Sequence, residues 1–200
     1  MLLKYQTVEQ VDLQVQEKNN CTPMKVLFTG AQGTGKTSVM EVLPDMLPKI
    51  KGVTRKCIAD NELEINMNST DRSQKAIFDA YEQQFESHNH FISERSLFDV
   101  YAFTTYQYYK GKCSQELLDE QRDKIKEFVT NNPDALYIYF PIEFEIQADG
   151  QRSTDKGYQE QIDMMIKNYL DTFGVHYITV HGTVEERVNQ IIDRVGFSRE

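Results

Sequence analysis

Short apolar runs alternate with longer stretches of helical spacing along this chain. The clearest run, residues 24–29, is rich in strand formers and ends at Gly30, which predicts a buried strand. After Lys36, the positions Val39, Val42, Leu43, Met46 and Leu47 recur with helical spacing, and Pro44 predicts an early end to that helix. Residues 52–58 read as a second strand, followed by a polar excursion to Ser69. Residues 70–87 form a helical pattern with Ala76, Ile77, Ala80, Tyr81 and Phe85 on one side, and residues 90–93 form a short buried strand. Helical stretches follow at about 96–109 and 114–130. Further strands are expected at 136–140, before Pro141, and at 175–180, before Gly182. Thr183 and Glu186 make a capping box that opens a last helix through Val184, Val188, Ile191 and Ile192. Alternation of strand and helix predicts an α/β protein whose parallel sheet is covered on both faces. Upstream, Val11, Leu13 and Val15 alternate with polar residues as an added edge strand would.

The length of 200 residues suits one domain, with residues 1–22 as an N-terminal extension and 23–200 as the body. With 40% hydrophobic and 26% charged residues and no long apolar run, the chain reads as a soluble protein without a membrane span. The first residues lack the basic start and apolar centre of a signal peptide, so cytoplasmic residence is expected. Cys21, Cys57 and Cys113 lie far apart and predict free thiols. A net charge of −9 opposes non-specific nucleic-acid binding and favours a small ligand held in a local basic pocket. The four histidines show no metal spacing, and the aromatic run Tyr101, Phe103, Tyr106, Tyr108 and Tyr109 reads chiefly as core, with base stacking as the other use.

The chemistry concentrates in three places. Residues 30–37, Gly-Ala-Gln-Gly-Thr-Gly-Lys-Thr, are an unbroken Walker A sequence behind a strand. Gly30, Gln32, Gly33, Thr34, Gly35 and Ser38 belong to a backbone cradle for the phosphates of ATP. Lys36 is expected on the β- and γ-phosphates, and Thr37 on Mg²⁺. The second place is residues 91–99, where Glu94 and Arg95 stand at the end of a strand, facing the ligand crevice of an open parallel sheet. Glu94 then holds Mg²⁺ or takes a proton, and Arg95 neutralises the transferring phosphoryl group. The competing reading is a helix start with Ser93 as its cap. The third place is residues 147–156, a polar loop with Arg152 and Lys156 that either closes over ATP or is a surface loop.

This set of Walker A, Glu94-Arg95-Ser96 after a strand and a late arginine-bearing loop resembles the P-loop nucleoside and nucleotide kinases. Residues 92–101 are similar to the Glu-Arg-Ser signature of deoxynucleoside kinases and the Asp-Arg signature of thymidylate kinases. Residues 149–155 with Tyr158 and Gln159 are similar to the lid of small AAA-type ATPase/kinase proteins common in phages and related to ribosylnicotinamide kinase domains. The resemblance covers about residues 24–196. It implies a five-stranded sheet of order 2-3-1-4-5, a lid bearing Arg152, and a loop at His181-Gly182-Thr183 packed on adenine. It also implies an acceptor pocket marked by Arg55, with Asp60 as a candidate acceptor-side carboxylate. No Walker B aspartate preceded by four apolar residues is present.

The expected activity is therefore ATP-dependent phosphoryl transfer to a nucleoside or nucleoside monophosphate. Lys36, Glu94, Arg95 and Arg152 form its catalytic set, and a homodimer is compatible with it. Two alternatives stay open: a kinase acting on a base or end within DNA, and an ATP-binding switch whose output is a conformational change.

Overall fold

The computed structural model describes residues 24–64, 68–145 and 155–195. The alternating segment at 11–15, the extension 1–22, Cys21, and Gly150 and Arg152 of the expected lid lie outside the described residues.

Five parallel strands form one sheet in the order β2-β3-β1-β4-β5, as the resemblance implies. The strands are β1 (Lys25–Thr29), β2 (Lys49–Ile50), β3 (Phe91–Ser93), β4 (Leu136–Tyr139) and β5 (Tyr177–Thr179). Between and after them run the helices α1 (Lys36–Val42), α2 (Val53–Asn61), α3 (Asp71–Glu86), α4 (Leu97–Tyr109), α5 (Gln115–Asn131), α6 (Lys156–Thr172) and α7 (Val184–Val195). Successive strand residues point to opposite faces, and the core divides accordingly. Val26, Phe28, Ile92 and Ile138 pack on one face with Val39 and Met40 of α1 and Val188 and Ile191 of α7. Leu27, Phe91, Tyr137 and Tyr139 pack on the other with residues of α2 to α6. The result is three layers, with β1 buried on both sides.

One element departs from the pattern reading. Residues 52–58 do not form a strand: Gly52, at φ +72°, precedes helix α2, and the second strand is the two-residue Lys49–Ile50. The β-branched content of the segment suggested a strand, yet Val53, Cys57 and Ile58 fall at helical spacing and share a face toward the core. Helix α1 ends at Val42, before Pro44 as expected, but Val42 itself is exposed while Leu43 is buried. The start of α4 also differs from the competing reading. Its cap is Ser96, in a reciprocal box with Asp99, whereas Ser93 closes β3 and donates its hydroxyl to the Arg95 carbonyl. The box at Thr183 and Glu186 forms as read, with the Thr183 amide and hydroxyl donating to Glu186.

The histidines have structural partners: His90 accepts from the Met24 amide and His176 lies 2.8 Å from Arg194. Cys57 and Cys113 are free and buried. Tyr101 and Tyr106 are core residues, whereas Tyr109 is exposed. Among the described residues no helix is long and apolar enough to cross a membrane.

The sheet places β1 between β3 and β4, so the chain leaves β1 where connections diverge to either side. That divergence opens a crevice beyond the strand's C-terminal end, and Gly30 sits in it. Gly30 has φ +143°, and a Cβ there would lie 2.5 Å from the Phe140 carbonyl oxygen, a backbone atom that cannot step aside. Gly30→Ala should therefore cost about 2–4 kcal/mol in urea unfolding. A loss below about 1 kcal/mol would show that the β1–β4 junction tolerates a side chain.

Candidate active site

The segment after β1 turns on glycines. Gly33 and Gly35 take φ +77° and +88°, the left-handed region that glycine enters without strain. With no side chains on these residues, the backbone can approach a phosphate chain closely, so the loop fits the triphosphate of ATP. Lys36 is only 6% exposed. Its ammonium donates to the carbonyl of Gly30 and to that of Ala31 at 2.6 Å, and lies 3.9 Å from the Asp99 carboxylate. The ammonium is thus held by the loop's own main chain. Thr37 is half-buried on the first turn of α1, and Ser38 is exposed there and does not line the cavity described below.

Asp99 is the residue that sequence reading did not assign. It has no exposed surface, accepts from the Gly30 amide at 3.0 Å through one oxygen, and accepts from the Ser96 amide and hydroxyl at 2.8 Å through the other. The Ser96 and Thr29 hydroxyls are also in hydrogen-bond contact at 3.1 Å. The end of β1, the phosphate loop and the start of α4 are thus tied at one buried carboxylate. The Ser96-x-x-Asp99 capping box was a readable signal for it.

Asp163 of α6 adds a second carboxylate near the loop. It accepts from the Tyr139 hydroxyl at 2.7 Å, and burial pushes its pKa up, against opposing contributions from that bond, from Lys36 and from the Ala31 backbone. Gln159, also on α6, donates to the Gln32 carbonyl at 2.7 Å. Helix α6 therefore braces the loop through Gln159.

Glu94 and Arg95 stand just past β3, both half-buried. Glu94 accepts from the Gly52 amide at 2.6 Å, which fixes its carboxylate at the start of α2. Arg95 stacks over Phe103, 5.7 Å from the ring centre. A cavity of about 640 Å³ joins these residues to the phosphate loop. Residues 32–37 line it, and so do Glu94, Arg95, Arg55, Gln74, Ile77, Phe103 and Tyr158. Arg55 is thus brought to the site. Asp60 is exposed near the end of α2 and does not line the cavity.

A third cluster lies behind the loop. Glu143 accepts from His181 Nδ1 and Arg187 Nη2, each at 2.6 Å, and from the Gly182 amide at 3.0 Å. Partial burial opposes its charge, but these three donors outweigh it and bring the Glu143 pKa down to about 2. His181 and Gly182 are thereby fixed against the segment following β4, although neither lines the cavity. Thr37 and Glu94, the residues expected on Mg²⁺, both line the cavity. No group of three or more acidic, histidine or cysteine side chains suited to a metal occurs among the described residues, so such an ion would depend on phosphate oxygens for most of its shell.

Comparison with known proteins agrees with this geometry. No curated protein sequence matches the chain. Deoxyadenosine kinase from M. mycoides with bound dCTP superposes with a TM-score of 0.60 at 15% identity, over 86% of this chain and 99% of that one. NadR protein in complex with NAD and AMP-PNP superposes with a TM-score of 0.63 at 13% identity, over all of this chain and 61% of NadR, so the present chain spans under two thirds of that protein. At these identities the likeness establishes a shared α/β fold. The model of the AAA domain family matches residues 25–187, most of the chain and every strand of the sheet, and the protein belongs to that family.

Proposed function

We propose that this protein transfers the γ-phosphoryl group of ATP to a nucleoside or nucleoside monophosphate. The observation that carries the reading is that one cavity is lined both by the phosphate loop and by Arg55, Gln74, Phe103 and Tyr158, side chains we assign to a second, acceptor compartment. An ATP-driven switch needs the first compartment only. Phosphoryl transfer needs donor and acceptor in one enclosure, because positioning and charge neutralisation supply most of its catalysis. The deoxyadenosine kinase that shares this fold supports the reading, as does NadR, whose structure holds the nucleotide AMP-PNP.

In this scheme the loop amides and Lys36 hold the β- and γ-phosphates. An acceptor oxygen attacks the γ-phosphorus as the bond to the β–γ bridging oxygen breaks and ADP leaves. Arg95, braced on Phe103, neutralises the charge that spreads over the transferring group. A hydroxyl acceptor also gives up a proton, which we assign to Glu94 in the cavity lining. A phosphate acceptor needs no base, and Glu94 then serves Mg²⁺ with Thr37. Bound Mg²⁺ would neutralise phosphate charge in either case. Arg55 faces the acceptor compartment, where a phosphate or sugar would meet it. Arg152 is assigned to the phosphates on closure of its loop. The chain's acidic balance favours a small acceptor over a nucleic-acid polymer, and cytoplasmic residence belongs to the same reading.

The test is incubation with γ-labelled ATP and a panel of nucleosides, monophosphates and DNA. Label should appear in a nucleoside or monophosphate. Release of inorganic phosphate alone, indifferent to every acceptor, would favour the switch. Lys36→Met should leave a folded protein whose turnover falls roughly a hundredfold or more, since its ammonium meets the developing phosphoryl charge. Full turnover in the folded variant would remove the loop from the reaction. Glu94→Gln keeps an acceptor for the Gly52 amide, so ATP affinity should hold while kcat drops by about two orders of magnitude. Recovery at high Mg²⁺ assigns Glu94 to the metal, and an unchanged kcat contradicts both roles.

A further inference from the structure

Among the described residues Arg187 is the largest fully buried side chain, 1% exposed, and it is cationic. A charge in that position needs strong partners, and it has them. One guanidinium nitrogen donates to the Thr34 carbonyl at 2.6 Å and another to Glu143 at 2.6 Å. The guanidinium carbon lies 5.6 Å from the Phe140 ring centre and 4.9 Å from that of Phe144. The bond to Thr34 spans 153 residues of sequence and reaches the middle of the phosphate loop from helix α7. The next residue, Gly35, lines the cavity, and a Cβ on it would lie 3.3 Å from the same Arg187 nitrogen.

Peptide geometry gives that contact a consequence. The Thr34 carbonyl and the Gly35 amide belong to one planar trans unit and point in opposite directions. A guanidinium that holds the carbonyl therefore turns the Gly35 N–H away from Arg187. Without the contact, this peptide could rotate, because Gly35 sits at φ +88°, where glycine has ready access to other conformations.

We propose that Arg187 is a positioning residue for phosphate binding: by fixing the Thr34–Gly35 peptide from behind, it presets a loop amide for the phosphate chain. It does not touch the phosphates. Glu143 is the counter-charge that holds it, and through the Gly182 amide and His181 the same carboxylate joins the loop after β5 to the phosphate loop. The assignment rests on the phosphate-loop part of the proposed function and is independent of the acceptor.

The test measures binding of ATP and of inorganic tripolyphosphate by calorimetry to the wild type, Arg187→Met and Arg187→Lys, with thermal unfolding as a fold control. Tripolyphosphate reports the loop without a nucleoside. In Arg187→Met both affinities should fall by a similar factor, about tenfold to a hundredfold, as expected for loss of a charged hydrogen bond that orders the site. Arg187→Lys keeps one cationic donor and should recover part of the loss of both. If the methionine variant does not fold, the lysine variant carries the test, with both affinities lowered together. Wild-type affinity for both ligands in a folded variant would show that Arg187 only staples α7 to the core and overturn the proposal. Loss of ATP binding with tripolyphosphate binding intact would place its effect at the nucleoside and overturn it too. A wild-type protein that binds neither ligand would overturn the phosphate-loop reading itself, and this assignment with it.

Discussion

Asp99, with no exposed surface, accepts hydrogen bonds from the Gly30 amide, the Ser96 amide and the Ser96 hydroxyl, and lies 3.9 Å from the Lys36 ammonium. A carboxylate removed from water is costly unless its oxygens are satisfied, and here each oxygen has a donor. Those donors come from the exit of β1 and the start of α4, elements nearly seventy positions apart in sequence. The requirement to satisfy Asp99 therefore fixes where the phosphate loop begins relative to the wall that carries Glu94 and Arg95. Gly30 meets the same constraint from the opposite side, since the Phe140 carbonyl leaves no room for a side chain.

From that point the loop is held on several sides by groups that do not themselves line the cavity. Asp163 stands beside it, Gln159 grips the Gln32 carbonyl, and Arg187 grips the Thr34 carbonyl. Two of these contacts take up the main-chain carbonyls of Gln32 and Thr34, and the opposite edges of those two peptide units stay available for an anion. This arrangement suits a site that gains its rate from preorganised dipoles rather than from a reactive side chain. The rest of the cavity lining is built differently, from side chains of α2, α3, α4 and α6 together with Glu94 and Arg95. The phosphate loop presents main chain, and the remaining lining is side-chain chemistry that sequence change can vary without disturbing the fold.

Much of this was legible in the chain. The strand at 24–29, the loop behind it, the short strand at 90–93 and the helices of the middle third have local signals: unbroken apolar runs, Walker A glycines and caps. The second strand was not legible because it is two residues long and paired on one side only, to β3, while the β-branched residues after Gly52 imitate a strand in a segment that turns helical. Lys36, Thr37, Glu94 and Arg95 were recognisable because each sits in a motif, Arg55 only through the family resemblance, and the structure brings all five to one cavity. Asp163, Glu143 and Arg187 carry no local signal. Their roles depend on partners more than twenty residues away, which only the folded sheet supplies. Asp99 lies between these cases, announced as a capping residue but not as the anchor of the phosphate loop.

The central claim is that donor and acceptor share one enclosure. It is tested most directly by titrating the protein with bisubstrate analogues, in which adenosine is joined through five phosphates to a second nucleoside, and comparing their affinity with that of ATP. If both compartments bind nucleotides, one analogue should bind with a stoichiometry of one per chain and at least about a hundredfold more tightly than ATP, because the second contact is made at high effective concentration. Affinities no greater than that of ATP for every second nucleoside would contradict the claim and leave a nucleotide-binding site without a nucleoside acceptor beside it.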